Sequence, residues 1–329
     1  MSKIQFNNVT YAGLENLKVC SESPFSYVEY MLKDFPEDSE ISASPLLFCV
    51  SSPLIDDALN AVLSGKNAVV TSDGREMLSV SRGNGRETAK LDAGAFPTLR
   101  DVFRLCEEAR LSLLYSLIDG GVFFETFDGV VISPFAVIGK GTLIRPGTRI
   151  SGNSVIGKNC VIGPNSAVED STVDEGSEIN ASFVSGSVIG KDVKIGPFSR
   201  IRPGCSISCG VRIGDFVEVK NSVIGENTHA AHLTYIGDSD VGRSVNFGCG
   251  TVTSNYDGKY KYRTVIGDNV FVGCNANLVA PVNVGNGSFI AAGSTIVSDV
   301  PENSLAIARE RQTVKEEWAK ERRKKGLLK

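Results

Sequence analysis

The run VIGKGTLIRPGTRISGNSVIGKNCVIGPNSAV, residues 137–168, decides how this chain folds. Its aliphatic residues Ile138, Ile144, Ile150, Ile156, Ile162 and Val168 recur at every sixth place. Gly often follows the aliphatic, and a small residue often sits four places later. An amphipathic helix would bring apolar residues back at spacings of three and four, so this is not a helical pattern. It suits one short strand and a turn, with the aliphatic pointing inward and Gly or Asn relieving the turn. Three such units close a triangular coil of about 18 residues.

Outward from that run the register slips by one at Val173 and Val184, then resumes at Ile189, Ile195, Ile201, Ile207, Ile213 and Val219. After a polar stretch it returns at Ile266, Val272, Leu278, Val284, Ile290 and Ile296. Self-similarity this persistent defines a solenoid. The fold class is mainly β: a left-handed parallel β-helix of hexapeptide repeats over residues 122–300, with Pro203 and Pro301 at turns that a parallel coil tolerates. The hand is implied by that kind of fold and not by the spacing, because parallel crossovers are normally right-handed. About nine coils at roughly 4.8 Å give a prism of about 40–45 Å.

Residues 301–329 form a tail, in which Thr313–Lys325 (TVKEEWAKERRKK) reads as an amphipathic helix with Val314 and Trp318 four apart. Its basic end is either a solvated terminus or a helper in holding the phosphates of an anionic ligand. Upstream, residues 98–121 read as a connecting helix. Thr98 is the N-cap, Asp101 lies in the first turn, Val102, Leu105, Cys106, Ala109, Leu113 and Leu117 form an apolar stripe, and the helix stops near Asp119-Gly120-Gly121. Residues 1–97 read as a small α/β domain: a strand at Pro45–Val50, a helix over Ile55–Leu63 with Ile55, Leu59, Val62 and Leu63 on one side, and a strand at Asn67–Thr71. The SRGNGRET run at Ser81–Thr88 reads as a solvated turn, since a lone Gly-x-Gly without a firm strand before it and a helix after it is a weak phosphate signal.

The 329 residues suit two domains, and a net charge of −4 argues against broad nucleic-acid binding. Eight cysteines without paired CxxC spacing, and no signal-peptide pattern, point to free thiols in a reducing cytoplasm. No stretch approaches the roughly 20 apolar residues of a membrane span, so no membrane partner is expected.

The chemically varied stretch is Phe216–Arg263, which holds both histidines, His229 and His232, and Tyr235, Tyr256, Tyr260 and Tyr262. The segment TSNYDGKYKYRT, Thr253–Thr264, breaks the hexad count, so it leaves the prism and is placed to reach a neighbouring subunit. The blocks GPFSRIRPG, IGDFVEVKNS, HLTYIGD, VNFGCGTVTSNYDGKYKYRT, IGDNVFVG, LVAPV, IAAGST and IARERQ together resemble one family over Thr98 to Trp318. That family is the bacterial bifunctional N-acetylglucosamine-1-phosphate uridylyltransferase/glucosamine-1-phosphate N-acetyltransferase.

The resemblance implies acetyl-CoA-dependent N-acetylation of glucosamine 1-phosphate by a cytoplasmic homotrimer, with ligands between adjacent prisms and no metal. It makes His232 the catalytic base, a role that a group titrating near neutrality suits. It makes Arg202 and Lys220 the cations on the sugar phosphate, with Tyr235, Asn246 and Lys261 as further acceptor-binding positions. Asn255 and Tyr256 match the loop pair at the reacting centre, and Ala292 and Arg309 match positions lining acetyl-CoA. Cys249 and Cys274 face acetyl-CoA where the family usually has Ala and Ser. Ala231 replaces a Gly and His229 a Lys, and His229 itself matches no functional position. Residues 1–97 lack the Gly-rich nucleotide loop, and Ser52 stands where a metal-binding Asp would precede Pro-Leu. Loss of uridylyl transfer is therefore expected. Two other readings stay open: a non-catalytic binder of sugar phosphate or CoA, and an acetyltransferase for another phosphorylated amino sugar.

Overall fold

The computed structural model describes residues 3–6, 24–36, 38–47, 50, 52–64, 66–82, 87–94 and 98–329. Residues 83–86 of the Ser81–Thr88 turn lie outside the described residues.

The N-terminal part is a five-stranded sheet of β1 (Lys3–Phe6), β2 (Glu40–Ala43), β3 (Asn67–Ser72), β4 (Arg75–Ser81) and β5 (Thr88–Asp92) in the order β1-β2-β4-β3-β5. With it go the helices α1 (Pro24–Met31) and α2 (Ser52–Leu63). Among the described residues of Pro45–Val50, 45–47 and 50, the expected strand is not found; the strand lies earlier, at Glu40–Ala43. Ser44 instead opens a turn, its Oγ accepting from the Leu46 N–H at 3.0 Å, while the N–H groups of Leu47 and Val50 donate three residues back. The apolar run is buried all the same, through Leu46 and Leu47, so hydrophobicity was read correctly and its geometry was not. On α2 the inward residues are Ile55, Ala58 and Val62, whereas Leu63 is 58% exposed. One residue past Val62 is about 100° around the helix, which takes Leu63 off the apolar side.

The connecting helix α3 (Leu99–Asp119) begins with a reciprocal capping box between Thr98 and Asp101. It joins two cores. Val102 belongs to the core under the five-stranded sheet, Leu114 to the core of the prism, and Leu113 packs against both. Tyr30 on α1 meets Phe135 edge-on at 5.6 Å between ring centroids.

From Phe123 the chain winds as a left-handed parallel β-helix with three sheets. The first sheet, from Val131–Ile132 to Thr295–Ile296, has ten strands; the second, from Val137–Ile138 to Val282–Val284, has nine; the third, from Phe123–Phe124 to Leu305–Ala306, has eleven. About ten coils therefore stack where nine were expected. The periodic aliphatics fill the axis, Ile144, Ile150, Ile162, Val168 and Ile201 having no exposed surface. The small residue four places on has its own task at the inner corners. Ser154 Oγ takes the N–H of Ser171, Ser171 Oγ that of Ser187, and Ser187 Oγ that of Cys205. Buried corner amides are thus satisfied from one coil to the next.

The polar stretch does not break the prism as widely as its composition suggests. Ile224, Ala230, Ile236, Val241 and Phe247 all point inward and are buried. The coil from Val252 to its partner Asn277 is seven residues longer than the next coil, from Asn277 to Thr295, so only one loop is extra. The expected C-terminal helix is also shorter, α4 covering Trp318–Lys324. Val314 and Trp318 are 69% and 48% exposed. With no apolar surface beneath it, the Trp318 ring instead carries the Arg322 guanidinium at 4.9 Å. Among the described residues no helix is long and apolar enough to cross a membrane, and no group of three or more metal-ligating side chains occurs.

Candidate active site

Two corners of the prism hold the candidate residues, at opposite edges of the first sheet. Where that sheet turns into the second, Arg202, Lys220 and Asp238 follow one another on successive coils: the Arg202 N–H donates to the Val219 carbonyl, and the Asp238 N–H to that of Lys220. Arg202 Nη1 pairs with Glu218 Oε1 at 2.9 Å, and Lys220 Nζ lies 3.8 Å from Asp238 Oδ2. Asp238 also accepts from Asn221 Nδ2 at 2.6 Å and from the side-chain amide of Asn255. Burial opposes its ionisation, but the Asn221 hydrogen bond, the Lys220 charge, the Asn255 hydrogen bond and the Lys261 charge together hold its carboxyl below the usual 3.8.

Lys261 reaches this corner from the extra loop. Contact with the Lys220 ammonium, and its charge, pull the Lys261 pKa below the ordinary lysine value. Tyr235, on the strand Tyr235–Gly237 of the first sheet, lies back along its own strand: a Cβ on Gly237 would fall on the Tyr235 hydroxyl. Its phenol is near enough to influence both Arg202 and Lys261.

The loop is a small hairpin. Tyr256 bridges Lys261, the Tyr262 N–H donates to Asn255, and Asp257 Oδ1 accepts from the Lys259 and Tyr260 N–H groups at 2.7 and 2.6 Å. These backbone hydrogen bonds keep the Asp257 carboxyl below its usual range. Arg263 anchors the return, its Nε and Nη2 pairing with the two Asp240 carboxylate oxygens while Nη1 and Nη2 reach the carbonyls of Asn221 and Ser239. The Tyr256 hydroxyl donates to Gly258 at 2.6 Å, inside its own loop.

His232 stands at the other edge, where the third sheet turns into the first. It is exposed and in register with Asp215 one coil before. Below it the corner repeats as Cys249, Cys274 and Ala292. Gly250 donates to Leu233, Asn275 to Cys249 and Gly293 to Cys274 across successive coils. The Arg309 chain crosses the end of the row, its Cδ 3.7 Å from where a Cβ on Gly293 would lie. Four residues, Leu233 to Ile236, separate His232 from Gly237, the Lys220 register partner, a span of at most about 18 Å.

Within one chain, then, Arg202, Lys220, Tyr235, Asn255 and Lys261 meet at one corner, and His232, Cys249, Cys274, Ala292 and Arg309 share the other. Asn246 joins neither, since its register partner is His229 on the third sheet. Asp238, Glu218, Arg263 and Gly237 were not singled out from the sequence. Asp238 has φ 48°, and an Asp after Ile-Gly reads there as one more turn residue.

Among known proteins, the model of the EIF2B subunit epsilon LbH domain matches residues 125–219, and the bacterial transferase hexapeptide model, six repeats, matches residues 263–298. The bifunctional protein GlmU of Caldicellulosiruptor saccharolyticus is 48% identical over 223 residues, 68% of this chain and 48% of that protein. The GlmU of Caldanaerobacter subterraneus subsp. tengcongensis is 55% identical over 210 residues, 64% of this chain and 46% of that protein. The chain spans about half the length of these curated relatives. The solved Arabidopsis UDP-N-acetylglucosamine acyltransferase is 18% identical, covering 63% of this chain and 76% of that chain at a TM-score of 0.37. Over its C-terminal part, at about half identity and with the hexapeptide repeats in place, this chain is a homologue of the bifunctional GlmU proteins, consistent with their acetyltransferase half.

Proposed function

We propose that the chain is a cytoplasmic acetyl-CoA-dependent N-acetyltransferase acting on glucosamine 1-phosphate, without uridylyltransferase activity, and that it works as a homotrimer. The arrangement that carries the reading is the meeting of three cations, Arg202, Lys220 and Lys261, at the corner where Lys220 Nζ lies 3.8 Å from Asp238 Oδ2. Two ammonium groups in contact are costly unless an anion shares them, and Asp238 supplies one negative charge for the pair. A phosphate dianion relieves the remainder and fixes the sugar by a group remote from the reacting nitrogen.

At the other edge of the sheet the exposed His232 imidazole takes a proton from the amine as the nitrogen bonds to the thioester carbonyl carbon. The C–S bond then breaks, and the imidazolium returns the proton to the departing thiolate. Peptide N–H groups at the corner suit the carbonyl oxygen as its charge grows. The row Cys249, Cys274, Ala292 and Arg309, one coil apart each, runs for about 14 Å and suits an extended pantetheine arm ending at a guanidinium for its phosphates. Asn255, held by Asp238, and Tyr256 border the acceptor from the loop. Asn246, away from both corners of its own chain, serves the acceptor from a neighbouring subunit in this reading. The GlmU identity supports the same choice of acceptor.

The test follows free thiol while purified protein, acetyl-CoA and glucosamine 1-phosphate are mixed, with galactosamine 1-phosphate and unphosphorylated glucosamine as alternative acceptors. UTP with magnesium and N-acetylglucosamine 1-phosphate go in parallel tubes. Release is expected only with the phosphorylated amino sugar, and His232→Ala is expected to lower kcat by about 10²–10⁴. Full turnover by that variant sinks the base assignment; glucosamine as the better substrate sinks the clamp.

A further inference from the structure

Cys249 and Cys274 occupy the same turn position on adjacent coils. Each lies two residues past a register pair, Phe247 with Val272. Each precedes a residue with positive φ, Gly250 at 77° and Asn275 at 55°. The Asn275 N–H donates to the Cys249 carbonyl at 2.8 Å, and the Gly293 N–H repeats that bond on Cys274. Identical local backbone, one coil apart, puts the two Cα atoms about 4.8 Å apart, inside the range of roughly 4.4–6.8 Å that a disulfide spans. Both are free thiols, Cys274 exposed and Cys249 half-buried.

The other described cysteines offer no such pairing. Cys160 and Cys205 are buried, burial pushes the Cys106 thiol up to about 11, and Cys209 has Lys191 and Glu226 next to its turn on the adjacent coils. We infer that Cys249 and Cys274 are a redox modification site: a reversible disulfide between neighbouring coils that closes the thioester row of the acetyltransferase. The inference rests on the acetyl-CoA placement proposed above only for its effect on turnover, not for the bond itself.

The oxidant is a peroxide. The Cys274 thiolate attacks one peroxide oxygen, the O–O bond breaks and hydroxide leaves, to be protonated to water; Cys274 becomes a sulfenic acid. The Cys249 thiolate then attacks that sulfur, the S–O bond breaks and a second water forms. Two thiols have lost two electrons, and the peroxide has been reduced to two waters. In-register parallel side chains hold their Cβ atoms farther apart than the roughly 3.8 Å that a relaxed disulfide prefers. The bond is therefore strained and readily reduced, as regulatory disulfides are.

The experiment treats the full chain with hydrogen peroxide, blocks remaining thiols and digests without reductant. A Cys249–Cys274 linked peptide pair two hydrogens lighter than the sum of its parts is expected, and it disappears with dithiothreitol. In the same samples acetyl transfer at subsaturating acetyl-CoA is expected to fall at least tenfold and to return on reduction. Cys249→Ser and Cys274→Ser each lose the sensitivity to peroxide, whatever their untreated rates, and Cys209→Ser keeps it. Absence of the linked pair while Cys209 is oxidised or alkylated overturns the inference. So does a linked pair that leaves transfer unchanged in an active preparation, since the bond would then close nothing. A linked pair in protein that transfers no acetyl group even when reduced keeps the modification site and sinks the acetyltransferase reading instead.

Discussion

Asp238 shows how one carboxylate sets the character of the cation corner. It is 6% exposed, yet it meets Asn221, Asn255 and Lys220 at once and lies close enough to Lys261 to act on its charge. Removing it leaves two amides without an acceptor and two ammonium groups without a counter-charge. Asp238→Ala is expected to destabilise the protein by about 1.5–3 kcal/mol, the range for hydrogen bonds to a charged group, measured by urea titration. Asp238→Asn, which keeps an acceptor oxygen but not the charge, should cost less in stability and about as much in sugar-phosphate affinity. Its titration fixes the sign of a pH effect. Because its folded pKa lies below the usual 3.8, the contribution is fully present above that pH and is lost only as pH falls through the lower, folded value. Hydrogen exchange across residues 255–263 should therefore stay slow down to pH 4 and quicken below it. Quickening at pH 5 to 6 would mean that another group holds the loop.

At the scale of the element, the hairpin loop is fastened by Arg263, whose guanidinium joins the loop to Asp240, Asn221 and Ser239. Asp240 is held below the usual carboxylate range first by the Arg263 hydrogen bond and then by its charge. Arg263→Ala should leave the prism intact by far-ultraviolet dichroism while raising KM for the sugar phosphate several-fold, because Asn255 and Lys261 sit on the part it ties down. An unchanged KM would make the loop a bystander. The prism itself was legible from the sequence because Ile and Val mark each inward position and little else competes. Where Ala230 takes that position the rhythm fades, yet the segment expected to leave the prism, Thr253–Thr264, nearly coincides with the Asn255–Arg263 hairpin that does. Asp238 and Gly237 stayed hidden for a related reason: both types are ordinary at turns, and what singles them out is a neighbour one coil away. The α/β part is less legible in the sequence. Pro45–Val50 has strand composition, but Ser44 and Pro45 turn it, and burial alone does not separate the two outcomes.

For the whole molecule the question is what lies beside the prism. On the second sheet the outward column runs Val137, Val155, Thr172, Val188, Ser206, Val223, Asp240 and Val265, and its five valines are exposed by 60%, 41%, 55%, 46% and 42%. Exposed valines at five of these eight positions, with Thr172, Ser206 and Asp240 between them, make a part-apolar face suited to a partner surface. The hairpin loop leaves the prism at the edge of this same sheet, the Asp240 strand that Arg263 grips belonging to it. In the proposed trimer a neighbour packed on this face would meet the loop, and Tyr256 would then border a site between prisms. Light scattering is expected to give three times 35.1 kDa. Val188→Lys with Val223→Lys places two charges in the middle of this face, where a docked surface would have to desolvate them, and should yield monomer with native dichroism and no acetyl transfer. An active monomer would place every group the reaction needs on one chain and leave the valine column unexplained.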